Sequence, residues 1–154
     1  MPSRALRILC LLLASSPWFA PAAHAALGGD PASAEADAAA LGGSLRVTTL
    51  ANYRIFEISG RDGSLVREFV DGGGRVFAAA WRSPGPPDLR RLLGTRYPSY
   101  VDAVSRLEHP GLRRELSIAG ADWVVESGGH LRAYAGRAYL PAWLPAGTSA
   151  AALR

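Results

Sequence analysis

The side chains in this sequence best suited to chemistry are two histidines, one serine beside a glycine pair, and a few carboxylates. Ser127-Gly128-Gly129-His130 brings a hydroxyl and an imidazole close along the chain. A nucleophile elbow, however, needs Gly-x-Ser-x-Gly on a strand-to-helix turn. Here Ser127 follows Glu126, and the glycine pair reads as a hairpin turn. After residue 25 the only histidines are His109 and His130, and there is no cysteine. A zinc site needs three or four ligands from such residues, so no metal is expected. Glu57 and Glu68 could face each other across a hairpin as a carboxylate pair. Arg54, Arg67 and Arg75 share that stretch, and cross-strand Arg–Glu pairing is the plainer reading. Gly72-Gly73-Gly74 lacks the Lys, Ser or Thr and the following helix that a phosphate loop requires. No catalytic residue and no cofactor is expected.

Aromatic residues are the remaining pattern. Trp81, Tyr97, Tyr100, Trp123, Tyr134, Tyr139 and Trp143 fall in the later half of the chain. Small domains use aromatics for much of their burial, so core packing is the plain reading. The sharper one is an apolar groove between sheet and helices, lined by Trp81, Tyr97, Trp123, Tyr134 and Trp143. It would hold an apolar ligand or a partner in the envelope. Pro141-Ala-Trp-Leu-Pro145 could then be a docking segment.

The elements that would position these groups begin after a targeting signal. Arg4 and Arg7 precede an apolar run from Ile8 to Ala20, and Ala23-His24-Ala25 supplies a small-x-small cleavage site. The run is too short and too interrupted for a spanning helix. Residues 1–25 are therefore expected to be a signal peptide cut between Ala25 and Ala26, leaving no stable membrane span. Without an Arg-Arg pair the route is the general secretory one, to the periplasm or beyond. Removing Arg4 and Arg7 leaves 15 of the 17 basic residues against 13 acidic ones, a net of +2. All of them are arginine and they are scattered, unlike a nucleic-acid footprint. Cys10 leaves with the signal, so the mature fold must do without disulfides.

One domain is expected over 26–146, with 147–154 a disordered tail. Asp30-Pro31 opens an Ala-rich helix ending at Gly42-Gly43. Its only large apolar residue is Leu41, so it reads as a surface helix. Alternating runs at Leu45–Leu50, Tyr53–Ile58, Leu65–Val70 and Val76–Trp81, with Asp-Gly turns, predict an antiparallel meander. In the last run Phe77, Ala79 and Trp81 would share a face. Ser83-Pro-Gly-Pro-Pro87 breaks the pattern. Short helices follow at Leu89–Leu93 and Pro98–Leu107, the second stopped by His109-Pro-Gly111. Strands return at Arg113–Ile118. A hairpin is expected from Trp123–Glu126 and His130–Tyr134, turning at Ser127-Gly128-Gly129, with an edge strand at Arg137–Leu140. The fold class is α+β: an antiparallel sheet, made of the meander and the C-terminal hairpin, with short helices on one face.

Four segments carry a family resemblance: Ala26-Leu-Gly-Gly29; Arg75-Val-Phe-Ala-Ala-Ala-Trp81; Pro86-Pro-Asp-Leu-Arg-Arg-Leu-Leu-Gly94; and Ser127-Gly-Gly-His-Leu-Arg132 leading to Gly136-Arg-Ala-Tyr-Leu-Pro141. In this order they resemble the bacterial exported proteins grouped as domain of unknown function 2844. The resemblance implies a small periplasmic or secreted protein and transfers no site residue. The functional expectation is a non-enzymatic envelope protein that binds a partner or an apolar ligand. The alternatives are a small exported hydrolase with an unrecognised site and an assembly factor acting through its sheet edge.

Overall fold

The computed structural model describes residues 26–30, 32, 34–107 and 115–154. The expected signal peptide, His109 and the first residues of the strand expected from Arg113 lie outside the described residues. Seven strands form one open antiparallel sheet in the order β1-β2-β3-β4-β7-β6-β5. They are β1 (Ser44–Thr49), β2 (Tyr53–Ser59), β3 (Leu65–Asp71), β4 (Val76–Ser83), β5 (Glu115–Ala119), β6 (Val124–His130) and β7 (Ala133–Tyr139). Among the described residues there are three α-helices: α1 (Ala34–Ala40), α2 (Leu89–Leu93) and α3 (Tyr97–Ser105). The class is α+β, as expected, and mostly sheet.

Side-chain chemistry sets the meander turns. Asp62 accepts from the Ser64 amide and hydroxyl at 2.9 and 2.6 Å. Those bonds hold its carboxyl below the usual range. Asp71 accepts the Gly73 and Arg75 amides, each at 2.9 Å. An aspartate that bonds the backbone two residues on makes a turn cheap to form.

The register assigns each face. On one face lie Ile58, Val66, Trp81, Ala79, Ala138, Val125 and Ile118. All three helices pack here. Leu92, Leu93 and Tyr100 meet Trp81, Val125 and Ala138 in one core cluster, and Ala34 and Ala38 sit on Ile58. The Ala-rich α1 is therefore more than a surface helix. Its small side chains let it lie close on the sheet, with Ala34 fully buried.

The start of the described chain is woven into this layer. Leu27 is 2 % exposed, and its N–H donates to the Leu92 carbonyl at 2.9 Å. Gly28 donates to Val76, which donates back to Gly29. Gly28 has φ +86°, and the Arg96 guanidinium fills the space a side chain would need. Arg96 donates to the Leu27 carbonyl at 2.8 Å and pairs with Asp122 at 2.6 Å. It thus ties the chain start to the loop before β6.

Three local expectations change. First, the hairpin does not turn at Ser127-Gly128-Gly129. These residues lie inside β6, the turn is Leu131-Arg132, and β7 is a single strand against β4 rather than an edge. Arg132 takes φ +69° at that turn, so the left-handed position was not marked by glycine. Second, Phe77 does not share a face with Ala79 and Trp81. The register passes from Val70–Val76 to Phe69–Ala78, so Phe77 is the extra residue of a bulge. Its ring joins Phe69 at 6.2 Å on the opposite face. Third, residues 147–154 are structured. A short 3-10 turn at Ala150–Ala152 lowers Leu153, 1 % exposed, onto Phe69, Phe77, Ala78 and Ala80. A single leucine in a run of alanines gave too little pattern to signal it.

Leu153→Ala should therefore lower the unfolding free energy by about 2–5 kcal/mol, the range for truncating a buried leucine. Chemical denaturation would measure it. A change within error would mean that the C-terminal turn is not part of the core.

Candidate functional site

The second face is only half covered by the described residues. The C-terminal turns overlie Tyr53, Ile55, Phe69, Phe77 and Tyr139. Beyond Leu153 the sheet opens into a trough of about 1210 Å³. Two cross-strand rows build its floor. One runs Ala80–Arg137–Glu126–Ser117 and the next Arg82–Ala135–Gly128–Glu115, across β4, β7, β6 and β5. Alternation places all eight residues on this face. Ala80, Ala135, Gly128 and Ser117 keep the floor low.

Charges are sorted across the trough. Arg67, Arg82 and Arg154 stand on the β3–β4 side, Glu115 and His130 on the β5–β6 side. Arg82 and Glu115 close the ends of one row, about 14 Å apart at three strand spacings. Arg82 is exposed and makes no ion pair among the described residues. Arg67 and Arg137 act differently. Arg67 pairs with Glu57 at 2.7 Å and donates to the Arg154 main-chain oxygen. Arg137 donates to Glu126 at 2.7 Å and to the Ala150 carbonyl at 2.7 Å. Each holds the C-terminal turn with one arm and a strand carboxylate with the other, fixing one wall. Burial and the neighbouring Glu126 carboxylate raise the Tyr139 hydroxyl above its ordinary range.

The same geometry places the nearby catalytic candidates. Ser127 and His130 are three residues apart on one strand, so they project to opposite faces. His130 Nδ1 lies 3.2 Å from the Leu131 carbonyl. Glu57 and Glu68 also face oppositely, and Glu57 is opposite Arg67. Among the described residues no three His, Cys, Asp or Glu side chains gather as a metal site.

The five aromatic candidates do not converge. Trp81 and Trp123 are buried in the core under the helices, where Tyr100 packs against Trp123 at 6.2 Å. Tyr97 packs on the edge of that cluster beneath the Arg90 guanidinium. Trp143 touches both core clusters and lies 4.5 Å under Arg75. Tyr134 is half-buried near the β6–β7 turn, in neither cluster. Of the five, Trp81 alone borders a cavity: it is among the residues lining the trough, and it borders a slot of about 220 Å³ beside Pro86-Pro87. Gly136 makes room for its indole, which occupies the place of a Cβ there. Apart from Trp81, and from Ser127 and His130 weighed there as a catalytic pair, the residues that line the trough were missed in the sequence. Their signal was small side chains at alternate positions of strands, where one-sided burial would favour bulk.

A second polar group lies beneath the helices. Asp37 of α1 pairs with Arg91 of α2. Close by, Glu68 is 1 % exposed and neither carboxyl oxygen has a hydrogen-bond partner among the described residues. The Trp81 indole N–H is likewise unpartnered. Burial, reinforced by Asp37 and opposed by Arg91, pushes the Glu68 carboxyl up to about 8. Glu68 is thus a neutral acid at pH 7, which avoids the larger cost of burying its charge.

The family can now be stated. A model described as "Protein of unknown function (DUF2844)" matches residues 23–153, and the chain belongs to that family. No curated protein and no solved structure matches it.

Glu68 gives a signed pH dependence. The unfolded chain releases this proton near 4.5 and the folded one near 8. Between those values the folded state binds more protons, so stability falls as pH rises and levels off above about 8. Glu68→Gln should remove that slope in denaturation curves taken across the window. An unchanged slope would show that Glu68 is not the group responsible.

Proposed function

We propose that the protein is an exported, non-enzymatic binding module, and that its trough takes an extended segment of a partner in the cell envelope. The observation that carries the reading is the trough itself. Its floor sets small residues around the Arg137–Glu126 pair, between a wall of arginines and one bearing Glu115 and His130, on the half of the sheet that the described residues leave uncovered. A peptide segment suits such a site better than a compact apolar ligand. It can lay backbone and small side chains on the floor, set carboxylates against Arg82 and Arg154, and set a basic group against Glu115. The separation of Ser127 from His130 supports binding rather than hydrolysis.

Export rests on the signal pattern of residues 1–25, and the fold adds a constraint. Leu27 is core. A cut between Ala25 and Ala26 spares it, whereas a cut a few residues later would remove it. The exported chain should therefore begin at Ala26, as read by intact mass from an envelope fraction. A full-length chain retained inside the cell would overturn export.

The trough is tested in the native cell with a photo-crosslinking side chain in place of Ala135, and with Val101 on α3 as the control. Ala135 should yield a discrete envelope adduct that Val101 does not, and Arg82→Glu should reduce it several-fold. No adduct, or the same adducts from both positions, would refute the trough as the binding site.

A further inference from the structure

The sheet has two edges, and they differ. A helix packs against each edge strand, α3 on β5 and α1 on β1, but β5 is the shorter and carries Glu115 at one end. β1 has no proline or bulge and a single charge, Arg46. Protected edges ordinarily carry such devices. Two of the large exposed hydrophobic residues, Val47 at 48 % and Leu50 at 43 %, lie on β1 and just past its end.

The direction of the free backbone groups follows from the β1–β2 turn. Leu50 N–H donates to the Tyr53 carbonyl at 2.9 Å. In an antiparallel ladder, bonded residues alternate with residues whose groups point away. Thr48, Arg46 and Ser44 therefore bond toward β2. Leu45, Val47 and Thr49 direct both N–H and C=O outward.

We infer that this edge pairs with the β1 edge of a second copy, antiparallel, about a two-fold axis at Val47. In that register Val47 meets its own counterpart and Leu45 meets Thr49 twice. Every outward-facing β1 group is then bonded. Arg46 lies opposite Thr48 on the second copy, on the same face. Sliding the pairing one way puts Arg46 opposite Arg46, which like-charge repulsion disfavours. Sliding it the other way puts Thr48 on the axis and loses a bonded pair. Self-complementarity of backbone direction, side-chain face and charge therefore selects one register, and the occupant is the same chain. A single strand buries little surface, so the dimer is weak and concentration-dependent. Both troughs would lie on one side of the continuous sheet.

Sedimentation equilibrium of the mature protein, from low-micromolar to millimolar concentration, tests this with two variants. Val47→Pro removes an N–H that points outward, so circular dichroism and melting should hold while association is lost. Thr48→Glu sets a carboxylate opposite Arg46 of the second copy, twice per dimer. It should tighten association about fivefold at low salt. A protein that stays monomeric throughout would overturn the inference. So would a dimer that neither substitution changes, or one that Thr48→Glu weakens.

Discussion

Everything in this structure depends on the pairing of β4 with β7. It joins the local meander β1–β4 to the strands β5–β7, which follow two helices in the chain. β4 is buried from Val76 through Trp81, because helices cover one face and the C-terminal turn much of the other. A strand covered on both sides this closely needs small residues, and Ala78-Ala79-Ala80 supplies them. Without this seam the sheet would be two separate ribbons of four and three strands. The trough would then lose its facing walls, since Arg82 belongs to one ribbon and Glu115 to the other.

The fold is held at its margins by arginine. Arg91 ties α2 to α1 through Asp37, and Arg96 ties the chain start to the loop before β6. Arg67 and Arg137 tie the last turn to the sheet. Several of these guanidinium groups serve a carboxylate and a main-chain carbonyl together, which a planar fork of donors allows and an ammonium does less well. An exposed ion pair contributes little by itself. A half-buried fork that also satisfies an orphan carbonyl adds more, because leaving that carbonyl unpaired carries a cost. With Cys10 the single cysteine of the sequence, no disulfide can form within the chain, and these bridges do part of what disulfides do elsewhere.

Much of the fold was legible in the sequence, for local reasons. The meander turns carry Asp-Gly chemistry, and the strands between them alternate. α2 has its Asp88 cap and its stopping Gly94. What failed was chemistry read without its partners. Gly128 and Gly129 looked like a turn, yet they are strand residues, and the turn fell where Arg132 adopts the left-handed conformation. Leu153 had no pattern around it because its partners lie on strands far back in the chain. The trough was invisible for a related reason. Arg82, Glu115, Ala135 and Gly128 become neighbours only through two long-range pairings whose register no local rule fixes. The aromatic residues were conspicuous in the sequence, and Trp81 and Trp123 turned out to fill the core.

The most direct test of the account is native-state hydrogen exchange resolved by residue. If the β4–β7 seam is the organising contact, the amides of Ala79, Trp81, Gly136 and Ala138 should exchange slowest. They should also share one opening free energy, equal to that of global unfolding. If β5–β7 instead exchanged as a unit well below the global value while β1–β4 stayed protected, the two ribbons would be separable. The single sheet, and the trough built across it, would then be contradicted.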